Sequence, residues 1–339
     1  MKIGIVGYQG AGKSSLFEWL TGEVPDAALS HKTQAAMATV PEPRIEGLCQ
    51  VYQPKKITRA ALEIVDTPGL SRSHEGSAQK LAMIREAGCL VVVVAAFDGG
   101  DPAADLNNFE DDLLIADLDI VAGRVERLRE QVKKPRPNRD ELQAELVALE
   151  PLHAALDEGR ALRELELTPE QQRAIRSFQL FSEKPRMVVV NVSDDDTDGK
   201  RFTTLSQSHV AAVSLGLELE LAALEDAERG EFCREMGVTP TDRDSLVRDM
   251  MDVSDQMLFF TAGEKEVRTW MIAKGATAVE AAGGIHTDLA TGFIRAETMN
   301  VDDLVRLGSE REVKAANLAR QEHKDYVIRD GDVITVRHN

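Results

Sequence analysis

Apolar positions follow two rhythms along the chain. KIGIVG (2–7), ALEIVD (61–66), CLVVVVAAF (89–97), MVVVNV (187–192) and HVAAVSL (209–215) are unbroken Val/Ile-rich runs of strand length. Runs without alternation predict strands covered on both faces, as in a mainly parallel α/β sheet. KSSLFEWL (13–20) and AQKLAMIREAG (78–88) carry the helical period instead. Between the third and fourth strands, residues 103–183 show almost no strand signal. Leu113, Leu114, Leu118, Val121 and Val125 recur at helical spacing within 109–132, PRPNRD (135–140) interrupts, and Leu142, Leu146, Leu149 and Leu152 resume within 141–156. That pattern predicts an antiparallel helical hairpin with a solvated charged face. From residue 258 the signals mix. FFTAGEKEVRTWMI (259–272) alternates and turns at Ala262-Gly263, TGFIRAETM (291–299) reads as a strand, and KDYVIRDGDVITVR (324–337) reads as two strands joined through Asp330-Gly331-Asp332. Helices are expected at 276–284 and 309–320, which gives a small α+β domain.

Composition narrows the function classes. The 339 residues are 43% hydrophobic and 29% charged, within the globular range. A net charge of −18 argues against binding nucleic acid or an anionic membrane through bulk electrostatics. Aromatic residues make up 4%, too few for a large base-stacking platform. No apolar run approaches the ~18 residues of a membrane-spanning helix. MKIGIVG leads straight into the first strand without a leader pattern, and Cys49, Cys89 and Cys233 form neither an even set nor a CxxC pair. A reducing, cytoplasmic setting is the expectation.

The candidate chemistry sits at strand ends. Gly7-Tyr8-Gln9-Gly10-Ala11-Gly12-Lys13-Ser14 matches GxxxxGK[ST] between a strand and a helix. In such a loop the backbone N–H groups of Gly10 to Ser15 cradle phosphate oxygens. Lys13 reaches the β and γ oxygens and the Ser14 hydroxyl ligates Mg²⁺. Asp66-Thr67-Pro68-Gly69 ends the second strand as a DxxG element. Asp66 would hold Mg²⁺ through water, and the Gly69 N–H would sense the γ-phosphate. Asn191-Val192-Ser193-Asp194 ends the fourth strand where switch NTPases carry NKxD; Asn191 and Asp194 fit, and Val192 replaces the lysine. Ser214, after the fifth strand, is a further base-pocket candidate. Ser30, Thr33 and Thr39 all lie where a Mg²⁺-binding switch threonine belongs. Leu70 stands where Ras-type switches place a water-orienting Gln. Arg72 and Arg85 are arginine-finger candidates by proximity alone, and exposed helix arginines are the simpler reading.

The whole chain resembles the YchF or Obg-like ATPases, translation-factor-related P-loop NTPases. VPEPR (40–44), VDTPGL (65–70), LLIADLDIV (113–121), KPRMVVVNVSD (184–194), FFTAGEKEVRTWMIAKGATAVEAAGGIHTDLATGFIRAE (259–297) and KDYVIRDGDV (324–333) carry the likeness. The resemblance implies a nucleotide-binding G-domain over 1–102 and 184–257 and a helical coiled-coil insert over 103–183. It also implies a ubiquitin-like (β-grasp) TGS domain over 258–339, binding of ATP or GTP with Mg²⁺, slow hydrolysis and association with the ribosome. Departures mark a divergent paralogue: Gly10 stands where family members usually carry Asn, Asp194 where they carry Glu, Met83 where they carry His or Asn, and SRSHEGSAQ (71–79) where they carry a longer glycine-rich stretch. A nucleotide-binding scaffold with little catalysis is the alternative these departures leave open.

Overall fold

The structure, a computed structural model, describes every residue except 73–76, 98, 197–198 and 207. Among the described residues the strands are β1 (Lys2–Val6), β2 (Gln34–Thr39), β3 (Ile57–Thr58), β4 (Ala61–Asp66), β5 (Cys89–Ala95), β6 (Arg186–Asn191), β7 (His209–Val213), β8 (Gln256–Ala262), β9 (Val267–Ala273), β10 (Phe293–Asn300), β11 (Arg320–Glu322) and β12 (Asp332–His338). The helices used below are α1 (Lys13–Thr21), α2 (Arg44–Tyr52), α3 (Ser77–Ile84), α4 (Pro102–Val132), α5 (Arg139–Asp157), α6 (Pro169–Ile175), α7 (Leu215–Ala223), α8 (Asp226–Met236), α9 (Arg243–Val253), α10 (Ala278–Ile285), α11 (Thr287–Thr291), α12 (Val301–Leu307) and α13 (Glu310–Ala315). They fall into two compact units, residues 1–36 with 63–241 and residues 37–62 with 242–339.

The first unit is built on a sheet of order β2-β4-β1-β5-β6-β7. β1 pairs in parallel with β4 and β5, β5 with β6, and β6 with β7. Every residue of β5 and β6 is buried, which explains their unbroken apolar runs. Parallel pairing brings the C-terminal ends of β1, β4, β6 and β7 to one edge of the sheet, so the loops carrying the motifs converge there.

α4 and α5 form the expected hairpin. Asp101 caps α4 by accepting from the N–H groups of Ala103 and Ala104 at 3.0 and 3.1 Å, with Pro102 at the first turn. Val121, Val125 and Leu128 of α4 meet Leu146, Leu149, Leu152 and Leu156 of α5 and Ile175 of α6 in a separate small core. Leu114, Leu118 and Leu142 lie at its margin, only partly buried. At the hairpin's foot Asp117 is fully buried. It accepts from Arg85 at 3.0 Å and from the Ser182 N–H at 2.7 Å, and the Arg85 guanidinium stacks 4.1 Å over Phe181.

The second unit carries a mixed sheet of order β11-β10-β12-β8-β9-β3. β8 and β9 form the hairpin expected at Ala262-Gly263, and β12 runs parallel to β8 and antiparallel to β10. One apolar cluster joins Ile45 and Leu48 of α2 to Phe260, Val267, Leu304 and Val333. Another joins Ala278 and Ala281 of α10 to Phe259, Ala296 and Ile334. Two expectations change here. The helix expected over 309–320 stops at Ala315, and Arg320–Glu322 is a strand instead. Residues 324–331 are not the first arm of a hairpin: apart from a single bridge from Val327 to Thr277, they run as loop into β12. Asp332 accepts there from the Tyr326 hydroxyl at 2.8 Å and from the Arg329 N–H at 3.0 Å, which holds the loop without a ladder. Packing also groups residues 37–62 and 242–257 with the C-terminal segment, whereas the local pattern puts them with the strands of the first sheet.

Candidate functional site

The phosphate-loop residues connect β1 to α1. Gly12 caps the helix with φ +101, and a Cβ there would lie 2.4 Å from the Asn191 amide nitrogen, so the position needs glycine on two counts. Lys13 is 7% exposed, and its Nζ donates to the Tyr8 carbonyl at 2.7 Å. Burial pushes the Lys13 ammonium down to about 8, opposed by the Asp66 charge and reinforced by Lys80. Gly10 is exposed, Ala11 is buried and Ser15 is half-buried in the first turn of α1.

The DxxG loop closes directly on this loop. The Gln9 N–H donates to the Leu70 carbonyl at 3.0 Å and the Leu70 N–H to the Gly7 carbonyl at 3.2 Å. A Cβ on Gly69 would meet Lys13 Nζ at 2.7 Å and Gln9 Cα at 2.9 Å, so only glycine lets the two loops approach this closely. The Leu70 side chain points into the core and is 1% exposed. Ser14 Oγ donates to Asp66 Oδ2 at 2.7 Å. Asp66 Oδ1 is buried with no hydrogen-bond partner, and burial raises the carboxyl above its ordinary range, with Ser14 and Lys13 pulling it back. A buried carboxylate oxygen without a donor, beside a serine hydroxyl, is a pair of hard oxygen ligands suited to Mg²⁺.

Asn191 ties two loops together. Its amide nitrogen donates to the Ala11 carbonyl at 3.2 Å, and its Oδ1 accepts from the Leu215 N–H at 3.3 Å. Asp194 Oδ1 accepts from the Ser214 hydroxyl and from the Leu217 N–H at the start of α7. The sequence pattern named Asn191, Asp194 and Ser214 separately, and the fold brings them together. Val192 differs: its side chain is buried in the core with Val190 and Phe202, so backbone is what it offers this edge. Ser30, Thr33 and Thr39 are all exposed, and the geometry does not select among them.

Contacts made by Lys80, Tyr8 and Arg72 have no signature in the motifs. Lys80 Nζ donates to the Gly69 carbonyl at 2.8 Å. The Tyr8 hydroxyl donates to Asp112 of α4 at 2.9 Å, and its ring meets Phe109 edge-on at 5.5 Å. Arg72 lies 5.2 Å over the Tyr8 ring and pairs with Asp105. The phosphate loop and the segment after DxxG are therefore fastened to the first helix of the hairpin. Arg85, expected as an exposed helix arginine, is instead largely buried in its pair with Asp117. The unusual segment 71–79 falls partly outside the described residues, since 73–76 are not described.

A family model described as a 50S ribosome-binding GTPase matches residues 2–123, and a YchF-type C-terminal model, described as a protein of unknown function, matches residues 257–339. The chain is 33% identical to the ribosome-binding ATPase YchF of Haemophilus ducreyi over 362 residues, covering 100% of this chain and 99% of that protein. It is 32% identical to the Bacillus subtilis YchF over 99% of this chain and 98% of that one. It is 33% identical to Obg-like ATPase 1 of Oryza sativa subsp. japonica over 100% of this chain and 92% of that one. The solved YchF GTPase of Schizosaccharomyces pombe superposes with a TM-score of 0.85 at 26% identity, covering 99% of this chain and 97% of that one. With the G-domain, its strand-end loops and full-length similarity of this kind in hand, the chain belongs to the YchF/Obg-like ATPase family.

Proposed function

We propose that this chain binds ATP or GTP with Mg²⁺ and hydrolyses it slowly, as a regulatory switch associated with the ribosome. The observation that carries the reading is the convergence of Lys13, Ser14, Asp66 and Gly69 on one edge, with Asp66 Oδ1 lacking a donor. Bound Mg²⁺ would neutralise charge on the β and γ oxygens, with Ser14 and Asp66 as its holders on the protein side. Lys13 and the N–H groups from Gly10 to Ser15 would hold the phosphates, and Gly69 would sense the γ-phosphate. Asn191, Asp194 and Ser214 would border the base, with adenine nucleotides bound at least as well as guanine.

Slow turnover follows from Leu70. Its side chain belongs to the core and cannot orient water. Arg72 and Arg85 are both engaged with carboxylates of α4. Intrinsic turnover then belongs near the unassisted range of switch NTPases, on the order of 10⁻⁴–10⁻² s⁻¹. Single-turnover hydrolysis on the isolated protein tests this; a rate above about 1 s⁻¹ without a partner contradicts it.

The α4–α5 hairpin is read here as the coiled-coil insert and the C-terminal segment as a TGS domain, both surfaces for ribosome contact. The relatives named as ribosome-binding ATPases support the partner and a cytoplasmic site of action. Among the described residues no helix is long and apolar enough to cross a membrane. Co-sedimentation with ribosomes, with and without a non-hydrolysable nucleotide, tests the partner.

A further inference from the structure

Two ammonium groups lie at Gly69 of the DxxG loop. Lys13 Nζ lies where a side chain on Gly69 would have to go, 2.7 Å from that Cβ position. Lys80, on α3, donates to the Gly69 carbonyl at 2.8 Å. The two cations are close enough for Lys80 to depress the Lys13 ammonium. The Gly69 carbonyl is thus held by Lys80, while Lys13 lies where a side chain on Gly69 would go. Asp66 already supplies one counter-charge to Lys13, and an incoming γ-phosphoryl oxygen would be a second anion to offset the Lys13–Lys80 repulsion. Neither neighbouring arginine competes for this place, since Arg72 pairs with Asp105 and Arg85 with Asp117.

We propose that Lys80 is a second cationic group of the phosphoryl-transfer site, supplied by the chain itself and stabilising charge on the γ-phosphoryl oxygens in the transition state. This rests on the nucleotide-hydrolase reading above. The water oxygen bonds to the γ-phosphorus as the bond to the β–γ bridging oxygen breaks. The water proton passes to the departing inorganic phosphate, and the nucleoside diphosphate is released. Lys80 stays an ammonium throughout and exchanges no proton. Cations aimed at charge that develops only in the transition state raise the rate without tightening the ground state.

The test compares wild type with Lys80→Met and Lys80→Arg by single-turnover hydrolysis. Affinities for a non-hydrolysable triphosphate and for the diphosphate with aluminium fluoride and Mg²⁺ are measured in parallel, and thermal unfolding verifies that each variant is folded. Lys80→Met is expected to lose about ten- to a hundredfold in rate, and to lose affinity for the aluminium fluoride complex by the same factor. Affinity for the non-hydrolysable analogue should change less than about threefold, and Lys80→Arg should keep most of the rate. Hydrolysis by Lys80→Met within about threefold of wild type overturns the proposal. A loss of analogue affinity as large as the loss of rate also overturns it, because Lys80 then only builds the loop. Wild type that binds no analogue at all overturns the hydrolase reading first and this inference with it.

Discussion

Asp66 and Asp332 are both almost fully buried, at 7% and 1% exposure, one in each unit. They end up in opposite states. Asp332 has both oxygens engaged: Oδ1 accepts from Arg320 at 3.2 Å, and Oδ2 from the Tyr326 hydroxyl and the Arg329 N–H. Asp66 has one oxygen on Ser14 and one with no donor. A buried carboxylate with all its lone pairs matched stabilises a fold, whereas one left unmatched costs stability and persists where a ligand completes it. Arg44 repeats the closed pattern in the second unit, bonding Glu42 at 2.6 Å and Asp330 at 2.7 Å. In the first unit Lys13 is buried beside Asp66 with no carboxylate bonded to it among the described residues, its Nζ on the Tyr8 carbonyl and its ammonium pushed down to about 8 by burial. The two units therefore use the same residue types for different ends. The open set lies at the C-terminal edge of a parallel sheet, and the closed set pins the turns of a mixed sheet.

The comparison breaks most visibly at Lys13. Lys13→Ala is expected to weaken nucleotide binding by at least about a hundredfold, about 2.7 kcal/mol, while the melting temperature moves little. A calorimetric titration beside a thermal melt separates the two effects. Asp332→Ala should do the reverse, destabilising the chain by about 2–3 kcal/mol in urea unfolding while nucleotide affinity stays within about twofold.

A pH series sharpens the contrast. Bound phosphate favours the charged form of Lys13, so its proton affinity in the complex rises above that in the free protein. Below the free-state value of about 8, Lys13 is protonated in both states and affinity is flat. Above it, binding must take up a proton, and affinity falls by up to about tenfold per pH unit. Titration in two buffers of different ionisation enthalpy should reveal that uptake near pH 8–9, and its absence removes Lys13 from the phosphate site. The smallest effect is expected at Arg129–Glu150 on the hairpin, whose side chains are 53% and 45% exposed. Arg129→Ala should change stability by no more than about 1 kcal/mol in the same unfolding experiment.

What the sequence makes legible follows the range of the interactions involved. The phosphate loop, DxxG and the buried strands are local patterns, and the fold brings Lys13, Ser14, Asp66 and Gly69 close together. Contacts between residues distant in the chain leave no local pattern. Tyr8 reaches Asp112 across 104 positions, and nothing in GYQGAGKS announces it. Asp117 reads as one more polar residue on a charged helix, yet it is fully buried because Arg85 and Ser182 come to it. Lys80 sits on a short helix whose period speaks only of Leu81 and Ile84 as core residues. Residues 44–58 carry no signal for the mixed sheet, because β3 has two residues and joins β9 by packing rather than by propensity. The misplaced strand at 324–329 has the opposite cause. Its run Tyr326-Val327-Ile328 has the composition of a short strand, while Asp332 provides the hydrogen bonds that a ladder would otherwise give.

The central claim is that the open polar set of the first unit is a Mg²⁺–nucleotide site. Calorimetric titration of the full chain with non-hydrolysable ATP and GTP analogues, with Mg²⁺ and then with EDTA, tests it most directly. One site per chain that tightens with Mg²⁺ is expected, with the adenine analogue bound at least as well as the guanine one. A guanine preference of tenfold or more, about 1.4 kcal/mol, lost in Asp194→Ala, would reverse the base assignment. Absence of heat with either analogue in Mg²⁺ would contradict the claim itself.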